Sequence, residues 1–256
     1  MKKIEEAEKL FSETFITCNV YFSVIFSCRE ISHLGLPTAT IHIYDKYLHF
    51  VDKLFNDSQY EKLFTDKQKT FETIGSVEAL AAKTTQEQIK KYKASIDAAS
   101  LIFARSVIDS AALNYCRCCA LVSPQDWEGF VKKKKILIEE VKGRSYDEIL
   151  NINVENYINS SDRESLLTKI ERLFQVCKPS NNFLSLNNYR FDRNRLQKLD
   201  RMRHDIVHKS SSIPLLPQGD NDIWFFWQST IFLMALVNFK YGLKVNSHYA
   251  ERASQQ

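Results

Sequence analysis

Hydrophobic residues recur along this chain with the three-to-four residue spacing of helices, and no confident alternating strand pattern interrupts them. The clearest helix follows a capping box formed by Thr84 and Glu87 and keeps one apolar face to about Leu121. At about 1.5 Å per residue it would span on the order of 50 Å, as in the spine of a helical bundle. The pattern therefore predicts an all-α fold.

Residues 1–83 are predicted to form an N-terminal helical extension of three helices. The first helix is expected to end at Gly35, because glycine commonly closes a helix and Pro37 follows just beyond. Two further helices are expected at about 38–56 and 58–83. The pattern gives no role for this extension.

Residues 84–245 are predicted to form one helical bundle, followed by a flexible tail at 246–256. Cap and turn residues separate its helices: Ser123-Pro124, Gly143, the capping boxes Ser145/Glu148 and Ser161/Glu164, and loops at 178–182 and 210–222. A helix with charged residues is expected between the two loops. The apolar run at 223–243 is expected to be the closing helix, buried in the core.

Composition favours a soluble helical protein over several alternatives. Only 6 glycines and 5 prolines among 256 residues argue against sandwiches, barrels and turn-rich folds. The net charge of +4 permits an RNA partner without implying one. The charged N-terminus does not resemble a signal peptide, and the apolar run at 15–27 is too short to span a membrane. We therefore expect a cytoplasmic protein with reduced cysteines and no membrane association.

The candidate chemistry lies in one short segment, 201–209, which places arginines beside histidines on the predicted helix. A guanidinium can neutralise phosphate charge, and an imidazole can move protons near neutral pH. A ribonuclease that works without a metal ion needs both groups. Four apolar residues at helical spacing would anchor this segment to the bundle: Leu196, Leu199, Met202 and Ile206.

The run Arg203-His204-Asp205-Ile206-Val207-His208 resembles the motif of the HEPN superfamily (higher eukaryotes and prokaryotes nucleotide-binding). That motif is an arginine, a polar residue, three further residues and a histidine. The layout is also similar, with a long helical pair, the motif on a late helix, a loop and an apolar closing helix. The resemblance covers roughly residues 84–244 and implies a helical bundle of the HEPN kind.

The resemblance implies a metal-independent endoribonuclease, built from two HEPN units by homodimerisation, with Arg203 and His208 as the catalytic pair and His204 as the polar modulator. Arg201, with six intervening residues before His208, satisfies a looser form of the same spacing. Many relatives act in phage defence, abortive infection or toxin–antitoxin pairs, so an antitoxin or another regulatory partner is expected. Some relatives carry a tyrosine two residues after the histidine, whereas this chain has Ser210.

Helix geometry explains why a dimer would be required. Arg203 and His208 are five residues apart, about 140° around a helix, so they do not share one narrow face. His204 and His208 are four residues apart and do share one. Two such helices across a two-fold axis would place two arginines and two histidines around one cleft. An alternative stays open, in which the basic residues are a solvated face and His208 lies near the helix end. In that case the protein is a non-catalytic helical module for RNA binding, protein binding or dimerisation.

Four basic residues are candidates for contact with the RNA backbone: Arg193, Arg195, Arg201 and Lys209. An exposed basic helix without a ligand is an equally good reading of the arginines that precede the motif. The cluster Cys116, Cys118 and Cys119 has no second ligand pair at zinc spacing and is expected to be core. No metal and no cofactor are predicted.

Overall fold

The computed structural model describes residues 2–56, 77–131, 142–187, 190–209 and 220–246. These residues form helices and no strand, which confirms the all-α class. The helices are α1 Lys2–Asn56, α2 Val77–Val122, α3 Glu128–Val131, α4 Tyr146–Ser160, α5 Leu166–Cys177, α6 Asn181–Asn187, α7 Arg193–Lys209 and α8 Asp220–Tyr241. Short 3₁₀ turns at Pro124–Trp127 and Ser161–Arg163 join some of them.

The two longest helices, α1 and α2, pack against each other as an antiparallel pair. The Phe11 and Tyr115 rings meet near one end of the pair, with their centroids 5.7 Å apart. Further along, the Arg29 guanidinium lies 2.6 Å from the Asp97 carboxylate, and both side chains are almost fully buried. The contacts pair early residues of α1 with late residues of α2, so the two helices run in opposite directions.

The predicted end of the first helix at Gly35 is wrong, because α1 continues through Gly35 and Pro37 to Asn56. The predicted helix at 38–56 is its second half. A proline inside a helix removes one backbone hydrogen bond, but packing can outweigh that loss. Leu36, beside the proline, is buried, and its carbonyl accepts a 2.6 Å hydrogen bond from the Thr40 hydroxyl.

The predicted helix start at Thr84 is also wrong, because α2 already begins at Val77. The residues before Thr84 are rich in alanine, the best helix former, and the Thr85 hydroxyl bonds back to the Ala81 carbonyl at 2.8 Å inside the helix. The expected boundary at residue 83 therefore does not coincide with a break in α2. Most of the helix predicted at 58–83 lies outside the described residues, as does the tail from residue 247.

The capping box at Ser145 and Glu148 is confirmed, since each side chain accepts a hydrogen bond from the other residue's backbone N–H. The one predicted at Ser161 and Glu164 is wrong. Ser161 lies in a 3₁₀ turn, Glu164 pairs with an arginine of α5, and Ser165 caps that helix instead. Side chains that bond elsewhere are not available for the local cap.

The predicted loop at 178–182 is shorter in the structure, and most of the predicted loop at 210–222 lies outside the described residues. Lys178 adopts a left-handed conformation that ends α5, and α6 begins only three residues later, at Asn181. Residues 210–219 lie outside the described part, and α8 begins at Asp220. The predicted motif helix and closing helix thus correspond to α7 and α8.

The hydrophobic core joins residues of α1, α2, α4, α5, α7 and α8 in one cluster. Cys116, Cys118 and Cys119 are buried in it, as predicted, and all six cysteines are free thiols. Burial raises the pKa of the Cys116 thiol to about 12. The clustered thiols are therefore packing residues in this fold. Because α1 supplies core residues such as Phe11 and Phe22, the N-terminal helix belongs to the same core as the bundle.

Two helices, α1 and α8, contain stretches that are long and apolar enough to cross a membrane by length and composition alone. About half of the α8 stretch is buried inside the protein (56%), as expected of a core helix, whereas one third of the α1 stretch is buried (33%). The cytoplasmic location stays a prediction.

Candidate functional site

The helix that carries the Arg-His segment, α7, is fixed at its start and along one face. The Asp192 carboxylate caps it by accepting hydrogen bonds of 2.8 and 3.1 Å from the backbone N–H groups two and three residues later. Leu196 and Leu199 are buried, and Met202 and Ile206 pack partly buried against the core. The predicted apolar face of this helix is therefore confirmed.

The opposite side of α7 presents Arg201, His204 and His208 to solvent; these three residues are called the Arg-His face below. All three are exposed, and their spacing of three and four residues places them in one stripe along the helix. The His204 and His208 rings lie with their centroids 4.5 Å apart and their planes at 47°. Two imidazoles and one guanidinium are thus available to the same ligand.

Arg203 lies on the other side of the helix. It follows Leu199 by four residues and precedes Ile206 by three, so it shares their core-facing stripe, and it is half-buried. Its Nε atom is buried and has no hydrogen-bond partner among the described residues. Arg203 and His208 therefore do not share a side of one copy of α7, whereas Arg201 and His208 lie on the same side, two turns apart. In the alternative interpretation, Arg201 and Arg203 both belong to a solvated face. The exposure of Arg201 agrees with that interpretation, and the half-buried position of Arg203 does not.

Two of the predicted RNA-binding arginines are engaged with other helices. Arg193 is exposed but pairs with Glu171 of α5. The guanidinium of Arg195 lies 2.8 Å from the Asp222 carboxylate and 4.8 Å from the centre of the Phe225 ring, and it also donates to a backbone carbonyl of α8. These contacts give Arg195 a structural role, and its predicted contact with RNA stays a prediction. Lys209 is the last residue of α7, and its side chain lies outside the described part.

Asp200, one turn before His204, connects α7 to the interior through three further charged groups that the sequence reasoning missed. Its carboxylate accepts a 2.9 Å hydrogen bond from Arg105 Nε, and Arg105 also lies 3.0 Å from Asp109. Asp109 in turn receives Lys169 Nζ at 2.9 Å. Arg105 and Asp200 are 95 positions apart in the sequence, and Asp109 and Lys169 are 60 apart. Local spacing in a single sequence therefore gives no signal for this network.

Within the described ranges, no group of three or more histidine, cysteine or acidic side chains is arranged to hold a metal ion. The histidines of the first helix, His33, His42 and His49, are exposed along α1. The Arg-His face offers two imidazoles and a cation, and a nearby cation disfavours metal binding.

Comparison of the chain with protein-family models, with curated proteins and with solved structures gave no match. A function must therefore be argued from the residues of α7 and their contacts.

Proposed function

We propose that this protein is a metal-independent endoribonuclease whose chemistry is carried out by the Arg-His face of α7. The observation that carries the proposal is the exposed pair of imidazoles, His204 and His208, 4.5 Å apart on the same stripe as Arg201. The resemblance of the segment at 203–208 to the HEPN motif points in the same direction. The all-α fold is compatible with this reading but does not decide it.

The proposed reaction uses the RNA 2′-hydroxyl as nucleophile. Its oxygen bonds to the adjacent phosphorus while the bond to the 5′-oxygen breaks, which leaves a 2′,3′-cyclic phosphate and a free 5′-hydroxyl. His208 accepts the proton of the nucleophile, and the neighbouring imidazole of His204 is placed to return one to the leaving oxygen. A guanidinium stabilises the charge on the phosphorane-like transition state. DNA lacks the 2′-hydroxyl and is therefore not cut.

Two arrangements supply that guanidinium. In the first, Arg201 acts within the same chain, because it shares the exposed stripe with both histidines. In the second, Arg203 acts in a composite cleft formed by two copies of α7 across a two-fold axis. The second requires the half-buried Arg203 side chain to turn outward, which its unsatisfied Nε makes less costly. We further propose a cytoplasmic, toxin-like or antiviral role, with an antitoxin or regulatory partner.

One observation favours a second candidate, a non-catalytic module for association. Several large apolar side chains of α1 are exposed and fall on one side of that helix: Val20, Val24, Ile31, Leu34 and Ile41. Contiguous exposed apolar residues often mark surfaces where proteins associate. Under this reading α7 holds a ligand or a second copy without cutting RNA.

The experiment incubates purified protein in chelator with labelled tRNA and a mixed RNA pool, beside four variants. His208→Ala and Arg201→Ala remove groups of the Arg-His face, and Arg203→Met keeps the apolar stem while removing the charge. Arg144→Ala is the matched control, because it deletes an exposed arginine in the turn before α4.

We expect the unmutated protein and the Arg144 variant to give discrete fragments ending in cyclic phosphate. His208→Ala should lower the rate by about 10²–10⁴-fold, the usual contribution of a general acid or base. Loss of activity in Arg201→Ala with retention in Arg203→Met supports the single-chain arrangement, and the reverse supports the composite cleft. If the unmutated protein leaves every RNA intact while variants of α7 change only its association, the ribonuclease proposal is wrong and the binding module is favoured.

A further inference from the structure

Three helices of the bundle meet through a row of alternating charges that ends at α7. Lys169 of α5 contacts Asp109 of α2, Asp109 contacts Arg105 one turn earlier on α2, and Arg105 contacts Asp200 of α7. Lys169 Nζ also donates a 2.9 Å hydrogen bond to the Asp162 carbonyl. The row has two cations and two anions, so its formal charge is balanced.

The row runs from a buried end at Lys169 to a partly exposed end at Asp200. The exposed fraction of the side chain is 1% for Lys169, 20% for Asp109, 14% for Arg105 and 29% for Asp200. Removing charges from water is costly, so a buried ionic row contributes little net stability compared with apolar residues of the same shape. Its directional contacts, by contrast, define how the helices are placed relative to one another.

Arg105 is the element of this row that fixes orientation. Its guanidinium is planar, and two of its nitrogens donate to the carboxylates of Asp109 and Asp200 at 3.0 and 2.9 Å. Burial alone would lower the pKa of Arg105, but its hydrogen bonds to the two carboxylates outweigh that effect and raise the pKa. The group therefore stays charged and remains paired with both carboxylates.

The ion pair between Arg105 and Asp200 lies close to the Arg-His face. Asp200 immediately precedes Arg201 and is one helical turn before His204, so the rotation of α7 about its axis is set within one turn of the histidines. Side chains reach roughly 5–6 Å from a helix axis, so a rotation of about 10° moves a ring by about 1 Å. A misplacement of that size costs an active site about 10²-fold in rate.

We propose that Arg105 and Asp200 are positioning residues that set the rotation of α7 and thereby orient the Arg-His face. The part of this inference that concerns reaction rate rests on the proposed ribonuclease activity. The part that concerns the orientation of α7 does not, and it is tested without RNA.

The test compares Asp200→Asn, Arg105→Met and the double variant with the unmutated protein, with Asp45→Asn, an exposed acidic residue of α1, as control. Asp200→Asn keeps the side-chain shape at a partly exposed position, so this variant is expected to fold even where Arg105→Met does not. Hydrogen exchange of backbone amides is measured helix by helix, and kcat and KM are measured separately on a cleaved RNA.

We expect Asp200→Asn to speed amide exchange in α7 by about tenfold or more, while α2 and α5 exchange as before. With a cleaved RNA, kcat should fall by about 10- to 100-fold and KM should change little, since the contacts with ground-state RNA remain. The double variant should be no worse than Arg105→Met, because the two residues act through each other.

Unchanged exchange in α7 would overturn the inference, and so would equal acceleration in α2, α5 and α7, which would indicate a general loss of stability. If the unmutated protein cuts no RNA, the proposed function fails, while the exchange of α7 still decides whether this pair orients the helix.

Discussion

The buried charge row predicts an asymmetry between two substitutions that break the same ion pair. Asp109→Ala leaves Lys169, whose side chain is 1% exposed, with the Asp162 carbonyl as its one partner among the described residues. Lys169→Met removes the buried cation instead and leaves Asp109 paired with Arg105 at 3.0 Å. We therefore expect the loss of the carboxylate to cost much more stability than the loss of the lysine.

The magnitudes follow from what each variant leaves behind. An uncompensated buried charge typically costs about 3–5 kcal/mol, which is the expected loss in the free energy of unfolding for Asp109→Ala. Methionine fills the lysine stem with apolar atoms, so Lys169→Met loses mainly the hydrogen bond to the Asp162 carbonyl and should cost about 0–2 kcal/mol. The Tm difference between the two variants should be at least about 2 °C, since each kcal/mol shifts Tm by roughly 2–4 °C at this chain length.

Urea unfolding followed by far-ultraviolet circular dichroism measures the free energy of unfolding of both variants. Asp45→Ala is the exposed control, and its free energy of unfolding is expected to change by less than about 0.5 kcal/mol. If Lys169→Met costs as much as Asp109→Ala, the row does not depend on Asp109 as its central partner, and the reasoning fails. The double variant should be more stable than Asp109→Ala alone, because it removes the stranded cation.

Three further predictions follow from single positions. The Tyr115 hydroxyl is buried without a hydrogen-bond partner among the described residues, so Tyr115→Phe should raise the free energy of unfolding by about 1 kcal/mol, and a loss in thermal or urea unfolding would contradict this. Burial raises the pKa of the Cys116 thiol from the ordinary 9.0 to about 12, so the folded state keeps a proton that the unfolded chain loses. Stability should therefore fall as the pH rises from about 9 toward 12, measured by urea unfolding under reducing conditions, and Cys116→Ala should weaken that dependence. Pro37→Ala should restore a backbone hydrogen bond inside α1 and stabilise it by about 2 kcal/mol, seen as slower amide exchange around position 37, whereas faster exchange would mean that α1 needs the proline geometry.

The features that the sequence could predict are those decided by neighbours in the chain. The spacing of apolar residues on α7 and the capping box at Ser145 and Glu148 depend on contacts within one or two helical turns, and both are confirmed. The exposed stripe of Arg201, His204 and His208 could also be read from spacing alone. Local patterns suffice where no distant residue competes for the same side chain or backbone group.

The features that the sequence could not predict are those decided by distant partners. Gly35 and Pro37 carry local penalties of about 1 and 3 kcal/mol in a helix, yet α1 continues, because it packs along α2. The contacts of Arg195 with Asp222 and Phe225 could not be predicted from the sequence either. A charge on an exposed-looking helix gives no sign of the carboxylate that another helix brings to it.

Arg203 shows how the two kinds of information combine. The residue type and the spacing to His208 fit the HEPN motif, but the apolar residues four before and three after Arg203 place it on the core side of the same helix. A single α7 therefore cannot direct Arg203 and His208 at one phosphate, since they are about 140° apart. In the proposed ribonuclease, either Arg201 supplies the cation within one chain, or a second copy supplies it from across a two-fold axis. Mixing the Arg203→Met and His208→Ala variants separates these cases: a composite cleft regains part of its activity in the mixed dimer, because the His208→Ala chain supplies an intact Arg203 and the Arg203→Met chain supplies an intact His208. A site built on Arg201 gains nothing from mixing, because His208→Ala chains stay inactive and Arg203→Met chains were active from the start.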